Sequence, residues 1–410
     1  MLHALRAEAR LQPGFETGYV RFVRALRERL HPRGVHDVRT VAHPDGLTFQ
    51  VNLGDRLGCD VYYGYVEERF EAGLFADVLP LGGTMVDVGA NFGYHAVHCA
   101  RAVGPTGAVH AFEPDPTAYE LLSANVEANG LTGTIRTHEA AVADHDGEVQ
   151  FYVAEEAAFS SMTATGRSAT RDVLTIPARS LDSFAAEHGI TRIDGLKIDV
   201  EGHEAAVLHG AAGLLARSPD PLLMLEISVK NLSDSARGAL LAALEALYTA
   251  GFGGLMPDLN AEGGMRAVDS AAAATALTSA NLFLLRPGGS MSERLRAAVA
   301  RRLLGPGALD AQPASEPVAG GEQRPVVHLF TGLDPDLVTA ALRDKADAEE
   351  RAAKLSHTVL RQGEQIALMR ADREALRSDI RKLSGTPFGL AFRIVRRVSR
   401  SLMPTRKRPS

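Results

Sequence analysis

The chain has 410 residues, 45% apolar and 23% charged, enough for a sizeable α/β core plus a further element. It has no run of about 18 apolar residues that could span a bilayer. Arg6, Glu8 and Arg10 interrupt what a signal peptide would need as its apolar core, and two cysteines, Cys59 and Cys99, make no disulfide framework, so a reducing cytoplasm is the expected compartment. The net charge is −6, but seven Arg and Lys residues and no acid fall between Gly385 and Ser410, which leaves −13 on the remainder; so acidic a body argues against a nucleic-acid partner.

In chain order, residues 1–46 are expected to form an N-terminal helical segment leading into the main domain. From 47 to 287, short apolar runs alternate with helical periodicity, the pattern of a βαβ sheet. "TMVDV" (Thr84 to Val88) predicts a buried strand, and "GAVHAFEP" (Gly107 to Pro114) the next. Asp115-Pro116 opens a helix with Tyr119, Leu122 and Val126 on one face, and Asn129-Gly130 ends it. "HEAAVADHDGEVQFYV" (His138 to Val153) predicts two strands about a turn at Asp146-Gly147. "GLKIDV" and "LLMLEI" predict two more buried strands. "GFGGLM" and "NLFLLR" close the sheet as a hairpin with a long connection.

Residues 288–335 hold a short helical run, Ser292 to Leu304, and then a Gly, Pro and Ala-rich stretch that is expected to be a flexible linker. Over 336–384, eleven of fourteen heptad a/d positions from Val338 to Leu383 are apolar, with Lys345, Gln362 and Arg373 interrupting the seam. This predicts a coiled coil of about 70 Å and a homo-oligomer, the alternative being a solitary solvated helix. In 385–410 Phe388, Leu390, Phe392 and Ile394 mix with arginines. Such a basic amphipathic tail suits peripheral contact with the inner face of an anionic membrane, a docked partner or a disordered end.

Four acids fall near the C-terminal ends of separate predicted strands, where open α/β sheets bind ligands: Asp87, Glu113, Asp199 and Glu226. Asp87 to Gly93 reads D-x-G-x-x-x-G. Gly89 permits a tight turn against a ligand, and Gly93 a close helix start. The pyrophosphate fingerprint G-x-G-x-x-G is missing, so the expected ligand is a mononucleoside with its cationic end near Asp87. Glu113, 24 residues after Gly89, is placed to accept hydrogen bonds from both ribose hydroxyls. The combination suits S-adenosylmethionine; a capping acid and a structural turn are the plainer alternative.

"VDVGANFGYH", "AFEPDPTAYELLSANVEANG", "RSLDSF", "IDGLKIDVEGHEAAVLHGA" and "LLMLEIS" resemble, in order and spacing, the FkbM-type family of S-adenosylmethionine-dependent methyltransferases. The resemblance covers about Leu47 to Arg286. It implies an α/β class I methyltransferase fold, Rossmann-like, with seven mostly parallel strands and an antiparallel C-terminal strand. It also implies O-methylation, most often of a sugar hydroxyl. By the same resemblance Asp87, Gly89, Ala90, Asn91 and Gly93 line the cofactor, Glu113 and Pro114 take the ribose, and Glu139, Ala140 and Ala141 edge the adenine. Ser228 stands where the family often carries histidine.

A hydroxyl attacking a sulfonium methyl must lose its proton, either to a general base or beside a divalent cation. Asp199 and Glu226 could serve as base or, with a sugar diol, as an all-oxygen Mg²⁺ site. Glu201 and His203 lie just past the strand, His203 as an alternative base or a surface residue. Glu204 is expected to cap the following helix, and His95 to sit on a helix surface. The expected function is in-line methyl transfer to a sugar hydroxyl of a polysaccharide or glycolipid. The alternatives are a glycosylated small-molecule acceptor, or a non-catalytic S-adenosylmethionine-binding scaffold.

Overall fold

The computed structural model describes residue 31 and residues 36–304, except 44, 64–68, 155–159, 163–169, 230–231, 259–264 and 278–279. The expected coiled coil, the basic tail, most of the linker and most of the N-terminal segment lie outside the described residues. A hairpin of β1 (Val38–Ala42) and β2 (Thr48–Asn52) leads into α1 (Arg56–Tyr63) and α2 (Arg69–Val78). Then follow β3 (Thr84–Val88), α3 (Tyr94–Val103), β4 (Ala108–Phe112), α4 (Pro116–Ala128) and β5 (Ile135–His138). The middle of the domain holds β6 (Ala141–Val142), β7 (Gly147–Ala154), β8 (Thr170–Arg179), α5 (Leu181–Glu187), β9 (Gly195–Ile198), α6 (Glu204–Gly210), α7 (Ala212–Arg217) and β10 (Leu222–Ile227). The last elements are α8 (Asp234–Thr249), β11 (Gly253–Pro257), β12 (Met265–Val268), α9 (Ala271–Thr275), β13 (Ala280–Leu285) and α10 (Ser290–Leu304).

The main sheet has the order β12-β11-β13-β10-β9-β3-β4-β5. β5, β4, β3, β9 and β10 are parallel, and β13 is inserted antiparallel between β10 and β11. This is the expected mixed α/β sheet with one correction. It has eight strands rather than seven, because β12 pairs on the outer edge of β11. The two strands expected within His138–Val153 are found as β6 and β7, but they pair with β8, which was not foreseen, in a second sheet β6-β8-β7. Most of β8 is solvent-exposed, so "TRDVLTIPAR" offers no continuous apolar run to signal a strand.

Strand alternation sends side chains to two cores. In β10, Leu222 and Met224 join the layer containing Phe75, Val97 and Leu122, while Leu223, Leu225 and Ile227 join Phe184, Val207 and Leu244. The first layer also takes in residues beyond both expected boundaries. Val41 and Phe49 come from the β1–β2 hairpin, which a boundary at 46 would split. Met291, Leu295, Ala298 and Val299 come from α10, so the domain runs past 287, and the chain as far as Val299 is packed rather than linker. Arg294 fixes this helix by donating to the carbonyl oxygens of Val78 and Leu79.

Candidate active site

β4 and β5 lie on one side of β3, and the chain returns to place β9 on the other. Diverging connections leave a crevice at the C-terminal ends of such strands. A cleft opens there. Its floor is the turn after β3. Gly89 has φ +75°, and a Cβ on it would stand 1.8 Å from the carbonyl oxygen of Asp199, so only glycine fits. The amides of Gly89 and Ala90 donate to Phe112 O. Asn125 of α4 donates to the Phe92 carbonyl at 2.8 Å and to that of Gln50 at 3.0 Å, tying the turn to β2.

Glu113 lines this cleft at the end of β4. Its Oε2 accepts from the amide of Asn91 at 2.7 Å and its Oε1 from the amide of Asp115 at 2.8 Å. A carboxylate has about four acceptor sites, so both oxygens keep a lone pair for a ligand. Burial, aided by the Asp115 charge, outweighs those two hydrogen bonds and pushes the Glu113 pKa up to about 8.

Asp87 departs from expectation: it does not line the cleft. Its position in β3 has the parity of Met85, which points the side chain into the first core layer. There it meets Lys197, its register partner on β9, with Nζ 3.4 Å from Oδ1. Lys197 also stands 3.4 Å from Asp199 Oδ2 and donates to the Gly89 carbonyl at 2.7 Å. One ammonium thus ties together the turn, the buried Asp87 and the cleft-lining Asp199. Burial pushes Asp87 up despite Lys197. Burial also opposes ionisation of Asp199, but Lys197 and a hydrogen bond with Glu226 outweigh it and hold that carboxyl below its usual range.

Of the residues expected at the site, Gly89, Ala90, Asn91, Glu113, Pro114, Ala140, Ala141, Asp199, Glu201 and Glu226 all line this cleft. Asn91 and Glu201 hold φ +50°, uncommon for residues other than glycine. Four expected residues do not line it. Asp87 lies beneath; Glu139 is exposed outside. Gly93 serves packing instead, since a Cβ there would come 2.7 Å from Leu122 Cδ1. His203 occupies the N-terminal cap of α6, half-buried, with its pKa lowered by burial. Glu204 does not cap α6 as expected: its carboxylate accepts from the Gly202 amide at 2.9 Å, ahead of the helix, and burial pushes its pKa up to about 7.

Sequence reasoning missed Lys197, Arg56, Tyr94 and His95, all of which line the cleft. A lysine inside the apolar run "GLKI" was the readable signal, because an unpaired buried ammonium is prohibitively costly. His95 is a correction. It is buried rather than on a helix surface, and burial with the nearby Lys197 charge drives its pKa well down, which keeps the imidazole neutral.

The lining fits S-adenosylmethionine. Glu113 offers carboxyl oxygens, the Gly89–Asn91 turn offers close backbone, and Ala140, Ala141, Val142 and Phe151 offer an apolar wall for a base. The fit for Mg²⁺ at Asp199 and Glu226 is poor. A cation, Lys197, already faces Asp199, and the two carboxyls hydrogen-bond to each other.

The family model for the methyltransferase FkbM domain matches residues 87–247. The 31-O-demethyl-FK506 methyltransferase FkbM of Streptomyces tacrolimicus is 31% identical over 202 residues, 42% of this chain and 75% of that protein. The chain belongs to the FkbM methyltransferase family. The hexuronic acid methyltransferase AglP of Haloferax volcanii is 30% identical over 129 residues, 32% of this chain; the match spans only 50% of that relative's length. A solved O-methyltransferase from Bacillus cereus in complex with SAH aligns over 70% of this chain and 98% of its own, at 14% identity and a TM-score of 0.34.

Proposed function

We propose that this FkbM-family methyltransferase transfers the methyl group of S-adenosylmethionine to a sugar hydroxyl, with a uronic acid residue of a glycan as the first acceptor to test. The observation that carries this reading is the placement of Glu113 and Asp199 on opposite flanks of one glycine turn, within a single cleft. The name of the Haloferax volcanii relative supports the sugar. When bound, the cofactor supplies an electrophilic methyl group on a sulfonium. Glu113 accepts hydrogen bonds from the ribose hydroxyls through its remaining lone pairs. Asp199 receives the acceptor proton. Its depressed pKa is no obstacle, because a hydroxyl oxygen that is gaining a carbon becomes strongly acidic as the bond forms. Lys197 keeps Asp199 ionised, and Glu226 orients it through their shared hydrogen bond.

A second reading, an alcohol of a small-molecule metabolite, is favoured by the Streptomyces tacrolimicus relative's name. The rod and basic tail predicted beyond residue 335 support a glycan assembled at a membrane surface, with the protein held there as an oligomer. Among the described residues no helix is long and apolar enough to cross a membrane. Incubation with methyl-labelled S-adenosylmethionine and a panel of uronic-acid oligosaccharides and macrolide alcohols tests the acceptor. Label appearing as a sugar methyl ether supports the first reading, and label only in the alcohols the second. Tight cofactor binding with no label in any acceptor would favour a scaffold.

A further inference from the structure

A second cluster of ligating side chains lies where the β1–β2 connection meets α3. His43 Nδ1 is 2.6 Å from Asp45 Oδ1, and His98 Nε2 is 2.9 Å from Asp45 Oδ2. The three ligating atoms fall within 4.8 Å of one another, the only such group of three among the described residues. His43 is buried and His98 nearly so, while Asp45 reaches solvent.

The other nitrogen of His98 decides what the cluster is for. Nδ1 stands 2.6 Å from the Tyr94 carbonyl oxygen, which can only accept, so Nδ1 carries a proton. In the neutral ring Nε2 is then an acceptor, and it points at a carboxylate, which is also an acceptor. Two acceptors 2.9 Å apart require positive charge between or beside them. An imidazole with Nδ1–H on a backbone carbonyl and a bare Nε2 is the usual presentation of a metal ligand. Arg101 supplies part of that charge from the half-exposed side: it donates to the Asp45 carbonyl at 2.8 Å and its Nη1 pairs with Oδ2 at 3.8 Å.

We propose that His43, Asp45 and His98 bind a zinc-class dication that clips the β1–β2 connection to α3. Two imidazole nitrogens and one carboxylate suit Zn²⁺ and not Mg²⁺ or Ca²⁺, which prefer all-oxygen shells. Ligand atoms on a tetrahedral zinc lie about 3.3 Å apart, so the His43 contact at 2.6 Å and the His98 contact at 2.9 Å would each open by less than about 1 Å. The solvent-facing side of Asp45 leaves room for a water as fourth ligand. Because α3 begins with Tyr94 and His95, the clip steadies one wall of the cofactor cleft.

The test uses the tag-free full chain, stripped with EDTA and titrated with Zn²⁺ against a competing chelator, with melting temperature followed in parallel. The parent is expected to bind about one zinc per chain and to gain thermal stability from it. His43→Ala/His98→Ala is expected to lose at least about ten-fold in affinity together with the stability gain. His98→Gln, whose amide still donates to Asp45 but offers no imidazole, guards against a folding artefact and should behave like the double variant. Asp199→Asn/Glu226→Gln should retain the metal. If the parent binds no zinc, or binds it equally well without these histidines, an imidazolium fills the role and the proposal is overturned.

Discussion

Lys197 and Asp87 face each other across neighbouring strands, Nζ 3.4 Å from Oδ1, with the carboxylate wholly enclosed by the first core layer. Asp87 lies behind the cleft that Lys197 lines, so the first role of the pair is structural. Lys197→Met removes the ammonium and strands a buried carboxylate. The expected loss is about 3–5 kcal/mol in urea unfolding. Asp87→Asn combined with Lys197→Met should recover a substantial part of it, because the wholly enclosed position is then neutral and only the cleft-lining Asp199 has lost its ammonium.

Cofactor binding should release a proton. Without ligand Glu113 titrates at about 8, so near neutral pH it is mostly protonated. Ribose hydroxyls donate best to the ionised form, and binding therefore lowers that pKa. Affinity for S-adenosylhomocysteine should rise up to a pH of about 8 and flatten above it. Calorimetry in buffers of different ionisation heat should show release approaching one proton near neutral pH, and none in Glu113→Gln.

Acid should loosen the fold through a stack of histidines. His110 and His138 stack with ring centroids 5.5 Å apart, and His138 lies on Phe112 at 4.5 Å. Burial, with neighbouring positive charges, pushes both pKa values down to about 4. An unfolded histidine titrates at about 6.5, so protons prefer the unfolded chain. The stabilisation is complete above about 6.5 and is lost as pH falls toward 4. Melting temperature should drop across that window, and His138→Phe should make the drop shallower.

The helix at 290–304 should behave as core. Leu295 is fully buried, whereas Glu293 on the same helix is exposed. Leu295→Ala is expected to cost about 2–5 kcal/mol in chemical unfolding and Glu293→Ala less than about 0.5 kcal/mol. Equal, negligible effects would return this segment to the linker.

Much of the sheet was legible because buried parallel strands are unbroken apolar runs, and "TMVDV", "GLKIDV" and "LLMLEI" each became one. Glu113 and Asp199 were legible because their strand-end positions follow from those runs. Asp87 misled for a reason of parity: proximity to a glycine turn does not say which face of β3 a side chain takes. His95 misled because helical periodicity alone could not show that α3 would bury its first turn against the cleft. In the β6-β8-β7 sheet only β8 left little trace, since a mostly exposed strand borrows its stability from tertiary pairing. The packing of α10 was hidden by its charge, which clothes a narrow apolar stripe.

The most direct test of the account is calorimetric binding of S-adenosylhomocysteine to the parent, Glu113→Gln and Glu139→Gln. Loss of charge-assisted hydrogen bonds to the ribose should weaken Glu113→Gln by about 10- to 100-fold, while the exposed Glu139→Gln binds as the parent does. Parent-like affinity in Glu113→Gln, or a matching loss in Glu139→Gln, would contradict the assignment of this cleft.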